Sequence, residues 1–407
     1  MADLQSSESK QPVQQPQGSV LEVLLAFSRL GLTCFGGPIA HIGYFRAEFI
    51  VRRAWLDEVA YADLVALCQI IPGPASSQVA FAMGFNRAGW LGGVAAWVGF
   101  TLPSAVALIL FATEVTQRSA LEQGVIHGLK LVAVAVVAQA VFGMARAFCR
   151  DRILVSIATG CAVAVLLIAT AFVQIAAIFL GGLVGALLCQ SDHRQGVGRS
   201  MISVPRRTGV IALVVFLLLL IAPPCVQAVT GSHTLRIFDA FYRTGALVWG
   251  GGHVVLPLLH DAIVTPGWVS ETQFLAGYGA SQAVPGPLFS FAAFLGASSR
   301  LSPSGPIGAA LATAAIFLPG FLILIGVLPF WQQIANDSKL QAGLSGINAA
   351  VVGILAAALF NPIWISSIGD SKDFAFAFFA FSLLIAWKAP PLLIVVLGIA
   401  FGSLRVL

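Results

Sequence analysis

One arrangement of residues occurs twice in this chain. Phe35-Gly36-Gly37 precedes Trp55, Gln69 and Pro72-Gly73-Pro74, and about two hundred residues further on Trp249-Gly250-Gly251 precedes Trp268, Gln282 and Pro285-Gly286-Pro287, in the same order and at nearly the same spacing. An internal duplication accounts for this. It constrains the fold twice, because each half must be able to adopt the same structure and the two must fit together. Aligning the halves also sets Arg29 on Arg243, Gly31 on Gly245, Leu102-Pro103 on Leu318-Pro319 and Gly128-Leu129 on Gly346-Ile347.

Both copies lie in an apolar chain: 58% of the residues are hydrophobic and 10% charged, with a mean hydropathy of +0.93. A soluble domain carries about a quarter charged residues. Stretches such as Trp90–Phe111, Lys130–Phe148, Ile153–Phe172 and Val210–Ala228 are long enough to cross a bilayer as helices. Lipid offers no partner for backbone N–H and C=O groups, so the chain is expected to be an all-α polytopic membrane protein.

Four parts are expected. Residues 1–19 are polar, rich in Gln and Ser, and lack a signal-peptide pattern, which predicts a disordered cytoplasmic tail. Residues 20–190 and 231–407 form the two repeats, and 191–230 a basic loop and a connecting transmembrane helix. That helix, Val210–Ala228, has no counterpart, so one extra crossing between two even-numbered halves turns the second upside down, as in inverted-repeat transporters. Loop charges point the same way. Arg194, Arg199, Arg206 and Arg207 place the inter-repeat loop inside, and the loop with Arg46, Arg52 and Arg53 corresponds to Leu259–Glu271, which has no Lys or Arg. The amino terminus is then cytoplasmic and the carboxy terminus external. Whether the first segment of each repeat crosses fully or dips and returns stays open. Scattered loop arginines account for the net charge of +5, so nucleic acid is not expected as a partner. Six single cysteines without CxxC spacing suggest neither metal nor cofactor, although Cys34 and Cys68 adjoin the motifs.

Pro-Gly-Pro cannot continue a helix, because proline lacks an N–H and drives the residue before it out of the α region. Val59–Ile71 should end as a half-helix, and Pro74 and Pro287 should open new ones. A helix that begins at membrane depth presents free N–H groups and the positive end of its dipole, which suits an anion. Ser76, Ser77 and Gln78, and Ser290 in the second half, are candidate donors, with Gln69 and Gln282 upstream of each break. An ordinary turn is the alternative, and duplication of the break disfavours it. The glycine pairs Gly36-Gly37 and Gly250-Gly251 permit close approach of a ligand or of another helix. Arg29 and Arg243 would suit a dianion if kept for substrate, or would snorkel as anchors. His41 and His253 are candidates for proton coupling. Glu22, Asp63, Glu114 and Asp239 lie near segment ends and form no carboxylate relay, which favours an anionic substrate; Lys130 is a further candidate cation. An intramembrane enzyme is the rival class, but HExxH is absent and a Ser76–His41 pair rests on no motif.

The stretches FGGPIAHIGYFRAEFI, CQIIPGPASSQ (Cys68 to Gln78), WGGGHVVLPLL and SQAVPGPLFSFAAFLG resemble the chromate ion transporter family in its long, two-domain form, over almost everything after residue 20. The resemblance implies chromate efflux across the bacterial inner membrane driven by the proton-motive force, with sulfate as a chemically similar anion. It implies no cofactor, and a homodimer is compatible with it.

Overall fold

The computed structural model describes residues 18–35, 37–114, 119–168, 170–189, 202, 204–249 and 252–406. Gly36, Arg194, Arg199, Gly250, Gly251 and residues 1–17 lie outside them. The described residues form helices and no strand. In the first half these are α1 (Val20–Thr33), α2 (Gly37–Phe45), α3 (Glu58–Ile70), α4 (Ala75–Glu114), α5 (Ala120–Phe148), α6 (Arg152–Leu167) and α7 (Ala171–Leu188). After α8 (Arg206–Thr230) come α9 (His233–Leu247), α10 (Val255–Leu259), α11 (Glu271–Ser281), α12 (Phe291–Ser298), α13 (Gly305–Val327), α14 (Trp331–Asn336), α15 (Ser338–Ala358), α16 (Ile365–Ser367), α17 (Ser371–Ala386) and α18 (Pro391–Leu404). Five helices among the described residues, Ala75–Glu114, Leu121–Phe148, Arg206–Thr230, Gly305–Phe330 and Ser338–Ser367, are long and apolar enough to cross a membrane. The protein is a multi-pass membrane protein.

Short helices take the structure beyond simple hydropathy. Helix α4 breaks at Ala88 and Gly89 (φ +65°). Its two parts fold back on each other, with Gly84 against Gly92 and Phe81 against Gly93. In the second half the same hairpin is made by α12 and α13, where Gly296 faces Gly308. The outer helices cross between halves: α7 packs on α15, and α18 on α5. Glycines allow this contact. A Cβ on Gly128 would lie 2.0 Å from the Gly398 carbonyl oxygen, and one on Gly346 would lie 2.1 Å from that of Gly181. Because Gly128 and Gly346 are equivalent in the repeats, each half lends its last helix to the other. The unduplicated α8 turns Leu218, Ile221 and Val229 outward.

The half-helices α3 and α11 start at equivalent polar clamps. Arg46, first residue of the π-helical turn Arg46–Arg52, donates from Nε to Glu58 Oε2 at 3.1 Å, at the first residue of α3. His260, first residue of the π-turn His260–Val264, lies with Nε2 2.9 Å from Glu271 Oε2, at the first residue of α11. Only the second clamp contains a histidine. Burial opposes charge on His260, but hydrogen bonds to Asp261 and Glu271 outweigh it and raise the pKa from 6.5 to about 9. A raised histidine pKa stabilises the folded hairpin fully below 6.5, and that contribution is lost as pH rises through about 9. Hydrogen exchange over 260–271, corrected for the intrinsic rate, should therefore quicken across that window while exchange over 46–58 does not. Parallel behaviour of the two hairpins would contradict this asymmetry.

Candidate functional site

Each Pro-Gly-Pro break is held by the opposite half. Helix α3 stops at Ile70 and leaves Ile71 extended, and Gly73 follows at φ +123°; its counterpart Gly286 sits at φ +107°. Glycine is the residue that tolerates such angles. The Gly73 N–H donates to the Val248 carbonyl at 2.8 Å, and the Gly286 N–H to the Cys34 carbonyl at 2.9 Å. Val248 and Cys34 are the C-caps of α9 and α1, equivalent positions in the two repeats. A Cβ on Gly73 would lie 2.9 Å from Gly320 Cα; one on Gly286 would lie 2.9 Å from Ser104 Oγ and 3.1 Å from the Phe100 carbonyl oxygen. Ser104 and Gly320 each follow the duplicated Leu-Pro pair. The exchange is reciprocal in the two N–H bonds and in the contacts with Gly320 and Ser104. The glycine segments also meet, since a Cβ on Gly252 would lie 3.8 Å from Pro38, next to Gly37 (φ +77°).

The polar groups around the two breaks differ. At the first, α4 begins at Ala75, so the N–H groups of its opening turn have no acceptor within the helix. Gln78 is fully buried, and its Nε2 donates to the carbonyls of Pro72 and Gly320, each at 2.9 Å. His41 is buried edge-on to Phe100, with Nδ1 3.4 Å from Ser76 Oγ. Three buried atoms on α2 and the first turn of α4, His41 Nε2, Ser77 Oγ and Gln78 Oε1, have no protein partner. A buried polar atom left unpaired costs about 1–3 kcal/mol, which makes these atoms candidates for contact with a ligand. At the second break Ser290 donates to the Pro287 carbonyl, Ser281 to that of Tyr278 at 2.6 Å, and His253 Nδ1 bonds the Tyr278 hydroxyl.

Other residues singled out in the sequence stand elsewhere. Arg29 is exposed on α1. Arg243 pairs through Nε with Asp239 at 2.7 Å and donates through Nη2 to the Leu220 carbonyl at 2.7 Å. That carbonyl is the one Pro224 deprives of its helical donor. Gln69 is exposed, and Gln282 bonds within its own turn to the Tyr278 carbonyl and Ser281. Lys130 is half-buried on α5. Sequence reasoning missed Ser104, Tyr278 and Gly320. The duplicated Leu-Pro pair was the signal for Ser104 and Gly320, which immediately follow it.

Ser76 and His41 do meet, but at a long distance. Among the described residues no carboxylate is hydrogen-bonded to the imidazole, whose other nitrogen is unpartnered. What the site offers is neutral hydrogen-bonding groups and the positive end of a helix. The chromate transporter family model matches residues 21–186 and 235–403, with one break inside each matched stretch. The chain belongs to the chromate transporter family. Among its relatives, a chromate transport protein of Pseudomonas aeruginosa is 30% identical, the match covering 92% of this chain and 89% of the relative. A probable chromate transport protein of Synechococcus elongatus is 26% identical over 95% of both chains. A chromate transport protein of Cupriavidus metallidurans is 24% identical, over 84% of this chain and 82% of the relative. No solved structure matches it significantly.

Proposed function

We propose that this protein transports tetrahedral oxyanions, with chromate as its substrate, and exports them from the cytoplasm at the expense of the proton-motive force. The observation that supports this reading is the reciprocal docking of two helix breaks, with His41 Nε2, Ser77 Oγ and Gln78 Oε1 buried and unpaired at the first. The anion sits at the start of α4, near Gly37, Gly73 and Ser76; the second break, with Gly286, Ser290 and His253, is the opposing frame. The repeats are inverted in the bacterial inner membrane, with the amino terminus cytoplasmic and the carboxy terminus periplasmic. Reciprocal contacts are what a two-fold relation produces, and the basic loops supply the orientation. An inside-negative potential then favours export, by about 2.3 kcal/mol per charge per 100 mV.

Uptake of labelled chromate and sulfate into inverted membrane vesicles, with and without an imposed proton gradient, tests this. Chromate accumulation that rises with the gradient is expected; no accumulation of either anion under any gradient would remove the transport reading. The arginines support the frame in this proposal. Arg29→Gln should change the half-saturating chromate concentration by less than about twofold, as expected for an exposed anchor. Arg243→Gln should lower thermal stability, because Asp239 and the Leu220 carbonyl lose their partner, with the half-saturating concentration equally unmoved. A tenfold rise in that concentration for either variant would return the arginines to the substrate.

A further inference from the structure

We infer that His260 is the proton-carrying group of the transport cycle, and that its clamp on Glu271 passes the state of that proton to the second break. This rests on the proton-driven transport proposed above and names the residue through which the gradient acts. The two equivalent clamps differ in one respect. Arg46 grips Glu58 with a guanidinium that never deprotonates, whereas His260 Nε2 meets Glu271 Oε2 at 2.9 Å with an imidazole that can lose its charge. Asp261 flanks the same ring, with Oδ1 3.6 Å from Nδ1, and is itself held by Gln174 Nε2 of α7 at 2.7 Å. Burial opposes charge on the ring, yet these two carboxylates raise its pKa to about 9. The other oxygen of Glu271, Oε1, is buried without a protein partner, so a spare acceptor lies beside the ring.

Position singles out the same residue. A proton carrier must be reached by water, and His260 keeps 17% of its side chain exposed, whereas His41 is buried against Phe100. The bonds of His41 and His253 go to the hydroxyls of Ser76 and Tyr278, not to carboxylates. His127 does pair with Asp373 at 2.8 Å, but Arg405 holds that carboxylate as well, and neither α5 nor α17 leads to a break. The other charged or titratable side chains on the elements packed around the clamp are His233, Arg236, Asp239, Tyr242 and Arg243 on α9, His253 before α10, Tyr278 on α11, Glu122, His127, Lys130 and Arg146 on α5, and Arg87 and Glu114 on α4; α7, α10 and α12 have none. Arg236 lies over the Trp268 ring, Arg243 pairs with Asp239 and Arg87 with Glu22, and the ion pairs of the ring itself are with Asp261 and Glu271. From Glu271, α11 runs eleven residues, about 16 Å, to Ser281 and the Pro-Gly-Pro beyond it, where the Gly286 N–H docks on Cys34 of the other half. A shift at the clamp therefore reaches the contact between the halves.

With the repeats inverted and the loop of Arg46, Arg52 and Arg53 inside, the clamp faces the periplasm, the side from which protons are driven. Protonated from there, the imidazole closes on both carboxylates. When the clamp opens in the alternate state, the proton leaves Nε2 for water on the cytoplasmic side and the neutral ring lets Glu271 go. An opened, hydrated ring returns towards a pKa of 6.5, so the proton favours the closed clamp by about a hundredfold or more. The test uses the full-length protein in inverted vesicles and two readouts: gradient-driven accumulation of labelled chromate, and exchange of labelled for unlabelled chromate without a gradient. His260→Arg copies the first clamp and cannot release its proton, and His260→Gln keeps a hydrogen bond without the charge. In both, the loss of accumulation should exceed the loss of exchange by about tenfold, whereas Arg46→Gln should lower the two in equal proportion. In the wild-type protein, chromate should alter hydrogen exchange over 260–271, and the alteration should fade as pH rises above about 9. Wild-type accumulation by His260→Arg, proportional loss of both readouts in the His260 variants, or no effect of chromate on 260–271 would overturn the inference. Each of these leaves chromate transport by the wild-type protein intact, whereas failure of the transport reading would show as neither accumulation nor exchange.

Discussion

Gly73→Leu and Gly286→Leu should each abolish chromate uptake while the protein still inserts in the membrane in near wild-type amount. Both glycines combine a backbone angle that L-residues rarely adopt with a neighbour that leaves no room: Gly320 Cα 2.9 Å from a Cβ on Gly73, and Ser104 Oγ 2.9 Å and the Phe100 carbonyl 3.1 Å from one on Gly286. Positive φ alone costs about 1–3 kcal/mol in a non-glycine residue, so even alanine should reduce uptake by about tenfold or more. Leucine cannot be accommodated without pulling the break off the opposite half and losing the N–H bond to Val248 or Cys34. Insertion depends on summed hydropathy and loop charge, which one glycine barely alters. Wild-type uptake by both variants would make Pro-Gly-Pro an ordinary turn; loss in only one would show that the halves do not share the work.

Replacing Gln78 should be nearly as damaging, and the contrast with Gln69 is the informative part. Gln78→Leu strips a donor from the buried carbonyls of Pro72 and Gly320, which tie the first break to α13. At about 1–3 kcal/mol for each polar group left unsatisfied, uptake should fall to a tenth or less. Gln78→Glu should abolish it, because an ionised carboxylate cannot donate to those carbonyls and sets a negative charge where the anion belongs. Gln69→Leu, on an exposed position one turn before the break, should stay within about twofold of wild type. Equal effects of leucine at 69 and 78 would refute the assignment of the bracing role to Gln78.

Much of this is legible in the sequence. The all-helical membrane class follows from apolar runs and the bilayer's lack of hydrogen-bonding partners. The ends of α3 and the start of α4 follow from proline chemistry at Pro72 and Pro74, because those are local rules about φ and a missing N–H. The duplication told where to look twice. Which glutamine faces the break is beyond such rules: Gln69 and Gln78 are equally polar and both lie about one turn from Gly73, and only the placement of Gly320 from the other half turns Gln78 into the brace. The arginines show the same limit. Nothing local to Arg243 announces its bond to the Leu220 carbonyl, which Pro224, on a different helix, leaves without a helical donor. Local conformation is written in short-range sterics, whereas partners for polar side chains are set by distant segments brought together in packing. The residues that end a helix could therefore be read from the chain, and the atoms left unpaired beside that end could be found only in the assembled fold.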